Sequence, residues 1–215
     1  MPSFALFAEG ITDQVVLEKI IKVFYKGISD TGVVVNCLQP TRDATDVSRQ
    51  QEGDYGGWQQ VLEHCSISDN LHEAFSLNDY VVVHLDSDVA DSDCSPVDPT
   101  QDLEDIVIGV EQMIIDSVEP ELLEIYSGRF ILAVAVQSTD CWLLPLFTNI
   151  AHERTTINSC EGKLGMVLRR SKKYYKKDGP CYLDLVKEIK KRAHLTQMSS
   201  CSPSLTRFLE ALPPA

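Results

Sequence analysis

The chain has 215 residues, 44% of them hydrophobic and 24% charged, which suits one soluble globular domain with a single substantial core. No apolar run approaches the roughly 20 residues that span a membrane, and the start MPSFALFAEG lacks the basic segment of a secretory signal, so a cytoplasmic protein with no membrane partner is expected. The net charge of −13 is unevenly spread: residues 1–150 hold 6 Lys+Arg against 26 Asp+Glu, while residues 151–215 hold 13 against 6. An acidic body repels nucleic acid at long range, so a phosphate ligand has to be recruited by the basic tail, by metal ions or by another protein.

In chain order, Ser3–Ala8 is an apolar run that stops at Glu9-Gly10, the pattern of a buried strand ending in a polar loop. Thr12 is placed to cap a helix running through Val15, Val16, Ile20, Ile21 and Val23 to a stop at Gly27. Gly32–Leu38 is a second buried strand, and Gln39–Asp54 a polar loop near the active edge. Trp58–Cys65 is amphipathic and extends toward Phe75 after a break near Ser66–Asn70.

Tyr80–Asp93, YVVVHLDSDVADSD, is the central stretch: a β-branched run buried on both faces that ends in carboxylates. Ligands of open α/β sheets bind beyond the carboxyl ends of the strands, which puts Asp86 and Asp88 at that rim, two residues apart and so on one side. Convergent carboxylates repel unless a cation sits between them, and Mg²⁺ or Mn²⁺ is the expected one. Glu9 reaches the same edge if its strand is a parallel neighbour. Asp91 and Asp93 read as solvated loop charges, and His84 as a satisfied interior histidine.

Leu103–Ile125 is a helix with Asp102 or its neighbours at the cap and a break near Pro120. Phe130–Val136 is the fourth strand, followed by an apolar helix over Cys141–Ile150 with Asp140 as its N-cap and a candidate ligand. Strands alternating with helices predict an α/β, Rossmann-like, mostly parallel four-stranded sheet flanked by helices over residues 1–150. Residues 151–215 read as a basic, mainly helical extension packed on that domain, with a helix over Cys181–Ala193 and a last one over Leu205–Leu212 capped by Ser202 or Ser204. Arg169, Arg170, Lys172, Lys173, Tyr174, Lys176 and Lys177, with Tyr175 among them, form a candidate nucleic-acid contact in which tyrosines between cations stack bases. The seven scattered cysteines, with no C-x-x-C pair, read as free thiols.

AEGITD at the end of the first strand and HLDSD at the end of a later one resemble the Toprim domain of topoisomerases, bacterial primases and OLD-type nucleases. YGGWQQVLEHC, AVQSTDCWLL and SPSLTRFLEAL look like small stand-alone bacterial Toprim-like proteins, a likeness covering most of the chain. The resemblance implies a Toprim-like fold in which Glu9 is a metal ligand or general acid/base and Asp86 and Asp88 hold divalent metal. It also implies an Mg²⁺-dependent phosphodiester hydrolase acting on DNA or RNA, in a prokaryotic defence module with a protein partner encoded nearby. In such proteins the exit of the fourth strand often reads Glu-x-Glu-Ala-Trp; here it is Ser138-Thr139-Asp140-Cys141-Trp142, which leaves a second metal site one carboxylate short. Two other readings stand beside the nuclease. One is a non-catalytic Toprim-like subunit of a larger complex. The other is a different Asp-x-Asp enzyme, such as a nucleotide-sugar transferase or a phosphatase, which leaves Glu9-Gly10 unused and lacks the Asp-x-Asp-x-Thr of one phosphatase class because position 90 is Ala90.

Overall fold

The computed structural model describes residues 2–27, 32–41 and 57–214. Four strands, β1 (Ser3–Phe7), β2 (Val34–Gln39), β3 (Tyr80–Asp86) and β4 (Phe130–Ala135), form an all-parallel sheet in the order β2-β1-β3-β4. β1, β3 and β4 are mainly apolar, as strands covered on both faces require, whereas β2, at the sheet edge and carrying Asn36, is only partly buried and not the buried strand expected. Most of the loop expected over Gln39–Asp54, from residue 42 on, lies outside the described residues, as do Tyr55 and Gly56.

Helices cover both faces. α1 (Ile11–Phe24) packs on the face formed by Phe4, Leu6, Val82, Ile131 and Ala133. With it lie α6 (Thr139–Phe147), α8 (Cys160–Arg170), α9 (Gly179–Leu185), α10 (Arg192–Ser199) and α11 (Pro203–Ala211), reached through the short α7 (Ala151–Arg154). The opposite face, Ala5, Phe7, Val81, Val83, Leu85 and Val134, is covered by α2 (Trp58–Ser66), α3 (Ser68–Leu77), α4 (Leu103–Ser117) and α5 (Pro120–Ile125). Side chains alternate along a strand, so with Val82 on the α1 face, His84 and Asp86 point there too. The helices after residue 151 supply Leu164, Leu168, Tyr182, Leu195, Met198 and Phe208 to this core, with Trp142 stacked on Phe208 at 6.0 Å.

Several local expectations are corrected. α1 begins at Ile11 with Gly10, not Thr12, at its N-cap. Gly10 is extended (φ −142°), so it is not needed for an unusual turn; a Cβ there would stand 3.1 Å from Asp13 Oδ2, and the glycine makes room for that carboxylate. The expected helix over Cys181–Ala193 is two: α9, capped by Asp178 on Cys181 N–H (2.9 Å), and α10, separated by a 3₁₀ turn and by Ile189, fully buried in a non-helical conformation. Burying Ile189 outweighs continuing the helix. Ser202 caps α11 by accepting from Leu205 N–H.

The cysteines are not all thiols. Cys141, in the first turn of α6, and Cys160, at the start of α8, form a disulfide with Cα atoms 5.1 Å apart; Cys65, Cys94, Cys181 and Cys201 keep their thiols. The two helices pack against each other and bring together residues 19 apart in sequence, a pairing no local spacing announces. Among the described residues no helix is long and apolar enough to cross a membrane.

Candidate metal centre

The carboxyl ends of β1, β3 and β4 deliver Glu9, Asp86 and the segment Ser138–Asp140 to one edge of the sheet. Glu9 follows β1, the parallel neighbour of β3, and its Oε1 accepts the Asp86 N–H at 2.6 Å, so these two expected site residues meet directly. Desolvation raises the Glu9 carboxyl from 4.5 to about 8, with the Asp86 charge adding to the effect. Asp86 is itself raised well above the carboxylate range, first by burial and then by Asp13, Asp88 and Asp140. Asp88 stands at the exposed rim, in the 3₁₀ turn Ser87–Asp91. Partial desolvation raises its carboxyl, which Lys177 opposes and Asp91 and Asp13 reinforce.

Two further side chains complete the cluster. Asp13, in the first turn of α1, is buried and accepts from Thr139 Oγ1 at 2.6 Å. His84 is fully buried, with Nδ1 2.5 Å from Ala133 O; a carbonyl only accepts, so Nδ1 carries a proton. His84 Nε2 stands 3.2 Å from Asp86 Oδ1, an ion pair when the ring is protonated, and neither atom has a hydrogen-bond partner. Ligand atoms of Asp13, His84 and Asp86 all lie within 4.8 Å of one another. A buried polar atom without a partner is costly, and an acidic pocket holding two of them is arranged for a cation. A ring nitrogen fixed by a backbone carbonyl leaves the other free to ligate, the usual outer support of a metal-binding histidine. His84 is therefore only half satisfied, which corrects the reading of it as an ordinary interior histidine.

Asp140 is not the cap of α6. Ser138 holds that position, while Asp140 is buried in the first turn and accepts a short hydrogen bond from Tyr182 Oη. Burial pushes its carboxyl up to about 6, against the pull of Tyr182 and Lys177. A buried acid is worth more to Tyr182 than to the helix end.

The basic run does not form one cationic face. Arg170 makes two 2.7 Å bonds to Glu153, Lys173 pairs with Glu188 (3.3 Å) and Lys176 with Asp178 (2.9 Å). Arg169 Nε donates to Gly165 O, Lys172 turns the chain with φ 54°, and Tyr174 is exposed. Tyr175, expected to stack bases, packs on Gly165 with its hydroxyl 3.2 Å from that of Tyr182. Lys177 is exposed and 3.3 Å from Glu161, and its charge acts on Asp13, Asp86, Asp88 and Asp140.

The packing of Tyr175 on Gly165 anchors the loop that carries Lys177. A Cβ at Gly165 would stand 2.9 Å from Tyr175 Cδ1. Gly165→Ala is expected to cost about 1–3 kcal/mol by overpacking, read as a lower thermal midpoint. An unchanged midpoint would mean that this contact yields freely.

No known protein family, curated protein or solved structure matches the chain.

Proposed function

We propose that the chain is a divalent-metal-dependent phosphodiester hydrolase acting on nucleic acid, built on a Toprim-like sheet with its basic C-terminal segment folded against the centre. The observation that carries this reading is the facing pair His84 Nε2 and Asp86 Oδ1, 3.2 Å apart and without a hydrogen bond, inside a buried carboxylate cluster at the carboxyl edge of a parallel sheet. The donor set fits a cation: Asp13, His84 and Asp86 would hold it, with Glu9, Asp88 and Asp140 around them. A set mixing one imidazole with carboxylates suits Mn²⁺ at least as well as Mg²⁺. When bound, such a cation polarises a phosphate oxygen and lowers the pKa of water.

The chain's own groups supply the rest. Lys177, whose charge is felt by Asp13, Asp86 and Asp140, would offset phosphate charge. Glu9, with a carboxyl near 8, holds an exchangeable proton at neutral pH in the metal-free protein, the property of a general acid/base. Thr139 and Tyr182 fix Asp13 and Asp140 in place.

One observation favours a second reading, a metal-binding subunit that relies on a protein partner for nucleic acid. The cations of Arg170, Lys173 and Lys176 are engaged in internal ion pairs, which leaves an acidic body with few contacts for a polyanion. The two readings separate in one assay. Metal-stripped protein resupplied with Mn²⁺ or Mg²⁺ is expected to cut labelled single-stranded DNA or RNA oligonucleotides or plasmid, and to stop with EDTA. Metal binding without cleavage of any of them would leave the subunit reading.

A further inference from the structure

Beside the metal centre the fold leaves a second feature that this chemistry does not use. Between α4 and α11, beyond the end of β4, lies a cavity of about 430 Å³ whose walls include Leu103, Val107, Val136 and Ile157, with Glu104 and Arg207 also lining it. Cys141, the residue after Asp140, also lines it. Val136 directly follows Ala135, the register partner of Asp86, which puts its backbone roughly 6 Å from that of Asp86, given strand spacings of about 4.8 Å, while its side chain lies with Val134 on the opposite face of the sheet.

The cavity has a directed polar group. Ser204 Oγ accepts from Trp142 Nε1 (3.0 Å) and from Val136 N–H (3.2 Å), which fills its acceptor capacity. Its own proton therefore goes to Ser202 Oγ at 3.3 Å, and Ser202 also accepts from Leu205 N–H. Ser202 is 8% exposed and lines the cavity, and with Ser204 as the donor between the two hydroxyls its own proton is left for a ligand. A hydroxyl donor in a largely apolar slot rimmed by Glu104 and Arg207 suits a flat ligand that carries an acceptor on its edge.

We propose that this cavity seats the base of an unpaired nucleotide next to the phosphodiester that the metal centre cleaves. The inference rests on the hydrolase reading and adds the substrate class. The aliphatic walls hold the ring and Ser202 donates to a ring carbonyl or ring nitrogen. A base inside a duplex cannot enter such a slot without leaving its stack, so the preferred substrate is single-stranded.

The test uses two chromogenic esters with Mn²⁺: thymidine 5′-monophosphate p-nitrophenyl ester and methyl p-nitrophenyl phosphate, which differ only in the nucleoside. Leu103→Trp fills the cavity from a position 40% exposed, and Ser202→Gly removes the donor while keeping a residue tolerated at a helix N-cap. Both variants are expected to lose about tenfold or more in kcat/KM on the nucleoside ester and to stay within about twofold of wild type on the methyl ester. The wild type is expected to cut a single-stranded oligonucleotide about tenfold faster than the same strand in a duplex. Equal activity of variants and wild type on both esters, or equal loss on both, overturns the base pocket and leaves the hydrolase reading standing; so does a duplex cut as fast as the single strand. A wild type inactive on both esters and on the oligonucleotide fails the hydrolase reading, and the pocket falls with it.

Discussion

Asp86→Asn is expected to lower metal-dependent cleavage by about a thousandfold or more while leaving the metal-free protein as stable as wild type or more so. Asp86 is the residue on which the site converges: Glu9 accepts from its backbone, His84 faces its side chain, and the charges of Asp13, Asp88 and Asp140 press on it. Without a cation those charges repel one another in a desolvated pocket, so an isosteric amide relieves the folded state even as it removes a ligand. Asp13→Asn is expected to behave in the same way, and Asp88→Asn more mildly, because Asp88 stands at the exposed rim. The measurements are cleavage rate and thermal midpoint on the same preparations. A variant that loses activity only by unfolding would show that Asp86 is a structural residue.

The second large effect is a stability that falls with rising pH until metal is added. Glu9 is raised from 4.5 to about 8 in the folded chain and Asp140 from 3.8 to about 6, both first by burial. Between the unfolded and folded values the native state holds a proton that the unfolded state has released, so unfolding takes up no proton and loses one. Stability from these groups is therefore full below pH 4.5 for Glu9 and 3.8 for Asp140, and is lost as pH rises through about 8 and about 6. Metal-stripped protein is expected to melt roughly 5–10 °C lower at about pH 8.5 than at about pH 5.5, with saturating Mn²⁺ recovering most of the difference. In Glu9→Gln the pH slope should flatten, since the amide cannot ionise. A slope identical to wild type would place the titration elsewhere.

The strands were legible in sequence because continuous β-branched runs ending in carboxylates, as in Tyr80–Asp86, have few alternatives, and parallel pairing then brings Glu9 to Asp86. Asp13 and His84 were harder to assign. Asp13 looks like an ordinary first-turn acid of α1, and only the packing of α1 on the β3 face turns it inward. For His84 a signal did exist: it shares a strand face with Asp86, two residues away, and a buried histidine on the same side as a rim carboxylate is a ligand candidate. The basic run misled because its cations look alike in sequence, whereas their roles depend on acids elsewhere: Glu153 for Arg170, Glu188 for Lys173, Glu161 for Lys177. The Cys141–Cys160 bond and the break at Ile189 are likewise set by helix packing and not by local propensity.

In the proposed function Asp13, His84 and Asp86 hold a divalent cation. Calorimetric titration of metal-stripped protein with Mn²⁺ at about pH 7, repeated in buffers of different ionisation enthalpy, reads both the binding and the protons it displaces. The expected result is a saturable site that releases about one proton per ion, because carboxyls raised by burial must ionise to bind. Both the heat and the proton release should vanish in Asp86→Asn. Absence of binding at millimolar Mn²⁺ and Mg²⁺, or binding that Asp86→Asn leaves unchanged, would contradict the metal centre.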